Sequence, residues 1–162
     1  MTNQAFFLHT LSSEFDRFHN VVAALPADRL DYRHDPKSRT AAELIGHLIG
    51  HFQDLVELID DGVIHHRMHV PFRDLPEAIA LLDAAAGDTA SRMANVSDEA
   101  WAQPGDFFVG DRSAIKAPRQ ALAWLLLLDG IHHRGQLSTL IRPMGGKVPS
   151  IYGPSADTAM GG

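Results

Sequence analysis

Cysteine is absent from this 162-residue chain. That absence excludes disulfides, zinc–thiolate fingers, iron–sulfur ligation and a cysteine nucleophile. Any metal ion must therefore be held by imidazole and oxygen, and any thiol chemistry needs a thiol brought in by a cofactor or substrate. Lysine is scarce: Lys37, Lys116 and Lys147 are the only three, so there is no polybasic segment for a membrane surface. The net charge of −6 offers no basic patch, and no nucleic-acid partner is expected. Long apolar runs are missing as well. The longest, Ala121 to Leu128, stops at Asp129, far short of the roughly 20 residues that cross a bilayer. The opening MTNQAFFLHTLSSEFDRF has no charged start, uninterrupted apolar stretch or small-residue cleavage site, so the expectation is a cytoplasmic protein with no membrane partner. No G-x-G-x-x-G, Walker A or G-x-S-x-G pattern occurs, which removes motif support for nucleotide cradling and serine hydrolysis.

What the chain does have is histidine, ten of them, and a helical apolar pattern. Its length suits one domain, 1–162, able to bury about 70% of its unfolded surface. Phe7, Leu8, Leu11, Phe15, Phe18, Val22 and Leu25 recur at steps of three and four, which predicts a first helix ending before Pro26. Thr40 and Glu43 read as a capping box. They open a second helix with Leu44, Leu48, Phe52, Leu55 and Ile59 inward, stopped near Asp60-Asp61-Gly62. Asp74-Leu75-Pro76-Glu77 starts a third helix ending near Val96, and Pro118 opens a last long helix running to about Arg142. Between them, Ser97-Asp98-Glu99 predicts one short helical turn and Phe107-Phe108-Val109 an extended piece. The tail from Lys147, rich in Gly, Pro and Ser, predicts no regular structure. The resulting expectation is an all-α four-helix bundle with a long connection before the last helix and an irregular C-terminal tail. Gly130 and Gly135 in the last helix suggest close approach of a neighbour.

On the last helix, Leu122, Leu126, His133, Leu137 and Leu140 share a narrow stripe, with Asp129 one turn before His133. A carboxylate and an imidazole in a buried stripe are costly unless paired or bound to a cation. Their i, i+4 spacing allows two readings: a buried hydrogen-bonded pair, or two ligands of one metal ion. His132 points to the flank. On the second helix, His47 sits at the edge of the apolar stripe and His51 closer to its centre. His from one helix facing Asp and His from another is a usual way to build a metal site in a bundle core, and three protein ligands leave positions open for chemistry. His65, His66 and His69 read as a solvated or substrate-facing turn, while His9, His19 and His34 have no evident partner. Arg134 is a candidate for orienting an anion. Tyr152 reads either as a residue closing over the site or as a surface aromatic.

His132-His133-Arg134-Gly135-Gln136-Leu137, Arg142-Pro143-Met144-Gly145-Gly146, and Ser38-Arg39-Thr40 followed by Glu43-Leu44-Ile45-Gly46-His47-Leu48 together resemble the DinB family. The resemblance spans nearly the whole chain. That family shares its fold with bacterial thiol-dependent transferases, and the resemblance implies a helical bundle holding a divalent metal, zinc or nickel, through three His. Carried onto this sequence, the ligands fall on His47, Asp129 and His133. Asp129 departs from the three-His pattern and makes manganese or iron admissible as well. The resemblance further implies a homodimer and a metal-dependent hydrolase or small-thiol-dependent transferase acting on a small-molecule substrate. Its cation would serve as Lewis acid or activate a water or an incoming low-molecular-weight thiol. The contrasting reading is a non-catalytic metal- or ligand-binding dimeric bundle in which the Asp–His pair is structural.

Overall fold

The computed structural model describes residues 1–158. Its long helices are α1 (Asn3–Ala23), α2 (Ala41–Asp61), α3 (Leu75–Met93) and α5 (Arg119–Ile141), with a short α4 (Asp98–Ala102). Each start has a physical cause. In the α2 box the Thr40 hydroxyl accepts from the Glu43 N–H at 3.1 Å, while the Glu43 carboxylate accepts from the Thr40 N–H at 2.7 Å. The first turn's free donors are thus satisfied at both ends of the box. Asp74 caps α3 by accepting from the Glu77 N–H at 2.9 Å, and Ser97 caps α4. Gly62, at φ 76°, ends α2 in the left-handed conformation that a side chain would strain.

α2 packs against α3 and α5, and α1 packs against the same two helices from the other side. Apolar stripes from all four meet in one core, including Phe7 and Phe18 of α1, Leu48 and Leu55 of α2, Leu82 of α3 and Leu137 of α5. The predicted ends of α2 and α5 hold to within a residue, and α1 ends before Pro26 as expected, at Ala23. α3 instead stops at Met93 rather than near Val96, and the backbone turns through Ala94–Val96.

The all-α expectation is corrected by a three-stranded sheet, β1 (Val63–His65), β2 (Pro104–Val109) and β3 (Arg112–Pro118). β1 pairs in parallel with β2, and β2 pairs antiparallel with β3 through a turn at Gly110, φ 59°. Only Phe107-Phe108-Val109 was legible as extended. β1 has three residues and β3 is exposed along nearly its whole length, so neither carries the apolar alternation that marks a strand. The tail through residue 158 has no helix or strand, as expected; positions 159–162 lie outside the described residues.

Candidate metal centre

α2 and α5 meet at the level of His47, His51, Asp129 and His133, and one ligand-type atom from each lies within 4.8 Å of the others. All three residues assigned as ligands from the sequence are in this cluster, and His51 joins them. His47 and His51 are each 3% exposed and His133 8%, whereas the Asp129 side chain is partly open to solvent.

The outer hydrogen bonds decide which nitrogens face inward. His47 Nδ1 donates to the Met68 carbonyl at 3.0 Å, so its Nε2 carries the lone pair. His133 Nδ1 donates to Gln136 Oε1 at 2.7 Å, which leaves Nε2 as a lone pair too. That Nε2 sits 3.3 Å from Asp129 Oδ2. Two imidazole lone pairs and a carboxylate therefore converge with no proton of their own to separate them, and such a donor set fits a cation. His51 is different. Its Nε2 approaches Asp129 Oδ2 at 3.0 Å and donates to it, while its buried Nδ1 has no hydrogen-bond partner among the described residues. His51 orients the carboxylate rather than presenting an outward-anchored lone pair.

The electrostatics agree. Burial pushes His47 down to about 3, and the nearness of the titratable His51, of Arg39 and of the other histidines adds to the effect. Burial also lowers His133, against the opposing pull of Gln136 and Asp129. The hydrogen bond from His51 is the main force holding Asp129 well below the usual carboxylate range, helped by His133. The surroundings thus favour neutral His47 and His133 beside an ionised Asp129, the protonation a metal ion requires of these ligands.

The connection from His66 to Asp74 crosses α2 and supplies the Met68 carbonyl. Two glycines admit it. A Cβ at Gly46 would lie 2.7 Å from the Val70 carbonyl, and one at Gly50 would lie 2.4 Å from the Arg67 carbonyl. In Gly46-His47 and Gly50-His51, each histidine thus follows the glycine that lets the loop down onto it, and the Val70 N–H donates to the Gly46 carbonyl at 3.0 Å. β1 pins the loop's entrance to β2, extended by a bond from the His66 N–H to the Phe108 carbonyl.

A second grouping, His51, Asp54 and His66, lies behind the first. Asp54 is fully buried, but its oxygens already accept from His66 Nδ1 at 2.8 Å and Arg67 Nη1 at 2.7 Å. Arg67 also reaches Glu57 at 2.8 Å. The guanidinium supplies the positive charge there, so this group braces the loop.

The remaining candidate residues resolve individually. His65 and His69 are exposed, whereas His66 is half-buried against Asp54. His19 pairs with Asp83 at 2.9 Å, joining α1 to α3. His34 and His132 line the mouth of the cavity over the cluster, and His9 is exposed. Arg134 does not orient an anion: it is 2% exposed and ion-paired with buried Glu14. The Tyr152 hydroxyl joins that pair, accepting from Arg134 Nη2 at 2.6 Å and donating to Glu14 at 2.9 Å. Tyr152 therefore anchors the tail to α1 and α5 rather than closing over the cluster. A Cβ at Gly130 would meet Phe18 at ordinary contact distance, and one at Gly135 would meet nothing within 4 Å among the described residues, so close approach explains neither. The Met68 carbonyl has no sequence signature; Gln136, three residues after His133, was legible only as part of a motif.

The cavity above the cluster measures about 590 Å³ and is lined by His47, Asp129 and His133 at its floor. That volume falls in the range of small-molecule sites.

The profile of the DinB family matches residues 1–160, and the chain belongs to that family. Among solved structures, a DinB-like protein from Bacillus cereus is similar at TM-score 0.75 and 18% identity, covering 90% of this chain and 95% of that one. A DinB-like protein from Bacillus subtilis gives 0.69 and 19%, covering 95% and 99%. A mycothiol-dependent maleylpyruvate isomerase gives 0.53 and 12%, covering 90% of this chain and 64% of that one. At these identities the likeness carries the fold. No curated protein sequence matches the chain.

Proposed function

We propose that the chain is a single-domain four-helix bundle of the DinB type whose His47, Asp129 and His133 hold a divalent metal ion for catalysis on a small molecule. The observation that carries this reading is the convergence of two outward-anchored imidazoles and one ionised carboxylate at the floor of an open cavity. A bound cation would supply Lewis acidity or activation of a water or thiol nucleophile. Around it, this chain's residues have separable tasks. Met68 and Gln136 fix the imidazoles, His51 fixes the carboxylate, and the loop over α2 keeps water from one side.

Hydrolysis and transfer of a low-molecular-weight thiol are the two reactions in view. The lack of cysteine suits the second, since no protein thiolate competes, and one structural neighbour is a mycothiol-dependent enzyme. Zinc or nickel follows from the family pattern, manganese or iron from the aspartate. Exposed Leu125 and Leu128 on α5, 42% and 59% open, support a homodimer. Among the described residues no helix is long and apolar enough to cross a membrane, and the charge of −6 supports a protein that does not bind nucleic acid. We place it in the cytoplasm. The non-catalytic reading has one observation in its favour: Asp129 lies within reach of both His51 and His133, as a purely structural network would have it.

Elemental analysis of tag-free protein beside an Asp129→Ala, His133→Ala double variant tests the proposal. About one metal ion per chain, absent from the variant, supports it and directs assays to thiol transfer and hydrolysis. No metal after reconstitution overturns it and leaves the structural network.

A further inference from the structure

Among the described residues, the charged groups lining the cavity apart from Asp129 at its floor are both cations, Lys37 and Arg39. This stands out in a chain whose acidic side chains outnumber its basic ones, 20 to 14. Neither cation makes a side-chain hydrogen bond or an ion pair among the described residues. Arg39 is half-buried, and a guanidinium removed from part of its water without a carboxylate partner is a site in want of an anion. The two nearest acids along the chain are engaged elsewhere: Asp35 accepts from the Lys37 backbone N–H at 2.8 Å, and Glu43 accepts from the Thr40 N–H and faces Arg33 at 3.9 Å. The Ser38 hydroxyl, also on the cavity wall, has no hydrogen-bond partner among the described residues and adds a neutral donor. All three lie on the connection just before α2, which the capping box holds rigidly at its C-terminal end.

We propose that Arg39, with Lys37 and Ser38, forms an oxyanion-binding wall of this cavity, so that the substrate is a small molecule carrying a carboxylate or phosphate group beside its reacting part. The inference rests on the reading of His47, Asp129 and His133 as the reacting centre. The anion sits on the wall and the rest of the molecule extends to the floor. Arg39 is a substrate-binding residue that also sets orientation, because a planar fork engages two oxygens at once.

Calorimetric titration of the protein as isolated, with succinate and inorganic phosphate as probes and neutral succinamide as control, tests this. Succinate or phosphate binds, and which binds more tightly identifies the class of oxyanion; succinamide is weaker by at least about tenfold. Arg39→Gln weakens the probe by about tenfold or more, Arg39→Lys restores part of the loss, and Arg92→Gln, paired with Asp60 far from the cavity, changes nothing. Equal affinities for wild type and Arg39→Gln, or for succinate and succinamide, overturn the proposal, as does the absence of binding by either anion. Repeating the titration after chelation separates the two readings. Binding that persists and still depends on Arg39 upholds the wall even if the protein holds no metal, whereas binding that needs metal and ignores Arg39 assigns the anion to the metal and overturns the wall.

Discussion

The Met68 carbonyl accepts from His47 Nδ1 at 3.0 Å, across a gap in sequence of 21 residues. That one bond fixes the tautomer of His47 and turns its Nε2 toward Asp129 and His133. It exists because Gly46 and Gly50 let the loop lie on α2.

Gly50→Ala should therefore displace the loop. Its new Cβ would stand 2.4 Å from the Arg67 carbonyl, a backbone atom that cannot rotate away. Overpacking of this kind costs roughly 1–3 kcal/mol, against roughly 1 kcal/mol gained in helix propensity. We expect a net loss of stability together with weaker metal binding. Gly135→Ala on α5, where none of the described residues stands within 4 Å of the new Cβ, should stabilise by about 0.5–1 kcal/mol. Denaturant unfolding of the two variants checks the contrast; equal effects would mean that the loop does not depend on the glycine.

Asp129→His restores the three-imidazole pattern. The expected outcome is a shift in preference toward zinc or nickel and away from manganese, because imidazole is softer than carboxylate. Competition between metal ions, read by elemental analysis, shows whether the preference moves. An unchanged order would remove Asp129 from the ligand set.

Metal-free protein should lose stability as pH falls through the range below 6.5. His47 remains neutral in the fold down to about 3, and burial lowers His133 in the same direction. The unfolded chain takes up these protons near the ordinary imidazole value of 6.5. The native state then binds fewer protons than the unfolded one, so the stabilising contribution is complete above 6.5 and is lost progressively toward 3. Asp129, held low chiefly by His51, acts with the same sign only at more acidic pH. Unfolding midpoints measured at about pH 7.5 and about pH 5 should drop on acidification, and His47→Gln should flatten the drop. A midpoint that rises on acidification would contradict neutral imidazoles.

Arg134→Ala should destabilise the fold without emptying the metal centre. The guanidinium pairs with Glu14, 6% exposed, bonds Tyr152 and stacks 5.0 Å over the Phe18 ring. Removing one partner of a buried ion pair costs roughly 3–5 kcal/mol because the other charge stays buried. Thermal unfolding and metal content measured on one preparation distinguish this from a role in binding. Loss of metal with unchanged stability would reverse the assignment.

The helices were legible because their causes are local. Thr40 with Glu43, Asp74 with Glu77, Gly62 and the 3.6-residue apolar spacing act within one or two turns. The stripe on α5 also exposed Asp129 and His133 as polar residues out of place, and the resemblance of the flanking motifs added His47. The sheet was not legible, since its strands are short or exposed and gain their pairing only when α2 delivers β1 to β2. His51 was visible as a histidine but not as the donor that holds Asp129.

By itself, the sequence determined the helix order, the family and a donor set limited to nitrogen and oxygen, because composition, caps and periodicity are properties of neighbouring residues. Only the tertiary structure decided that a loop carbonyl anchors His47, that Arg134 belongs to Glu14 and Tyr152, and that Arg39 faces the cavity with no partner among the described residues. Those are contacts between residues far apart in the chain, and no local preference encodes them; they are selected by which surfaces the packed core leaves facing one another.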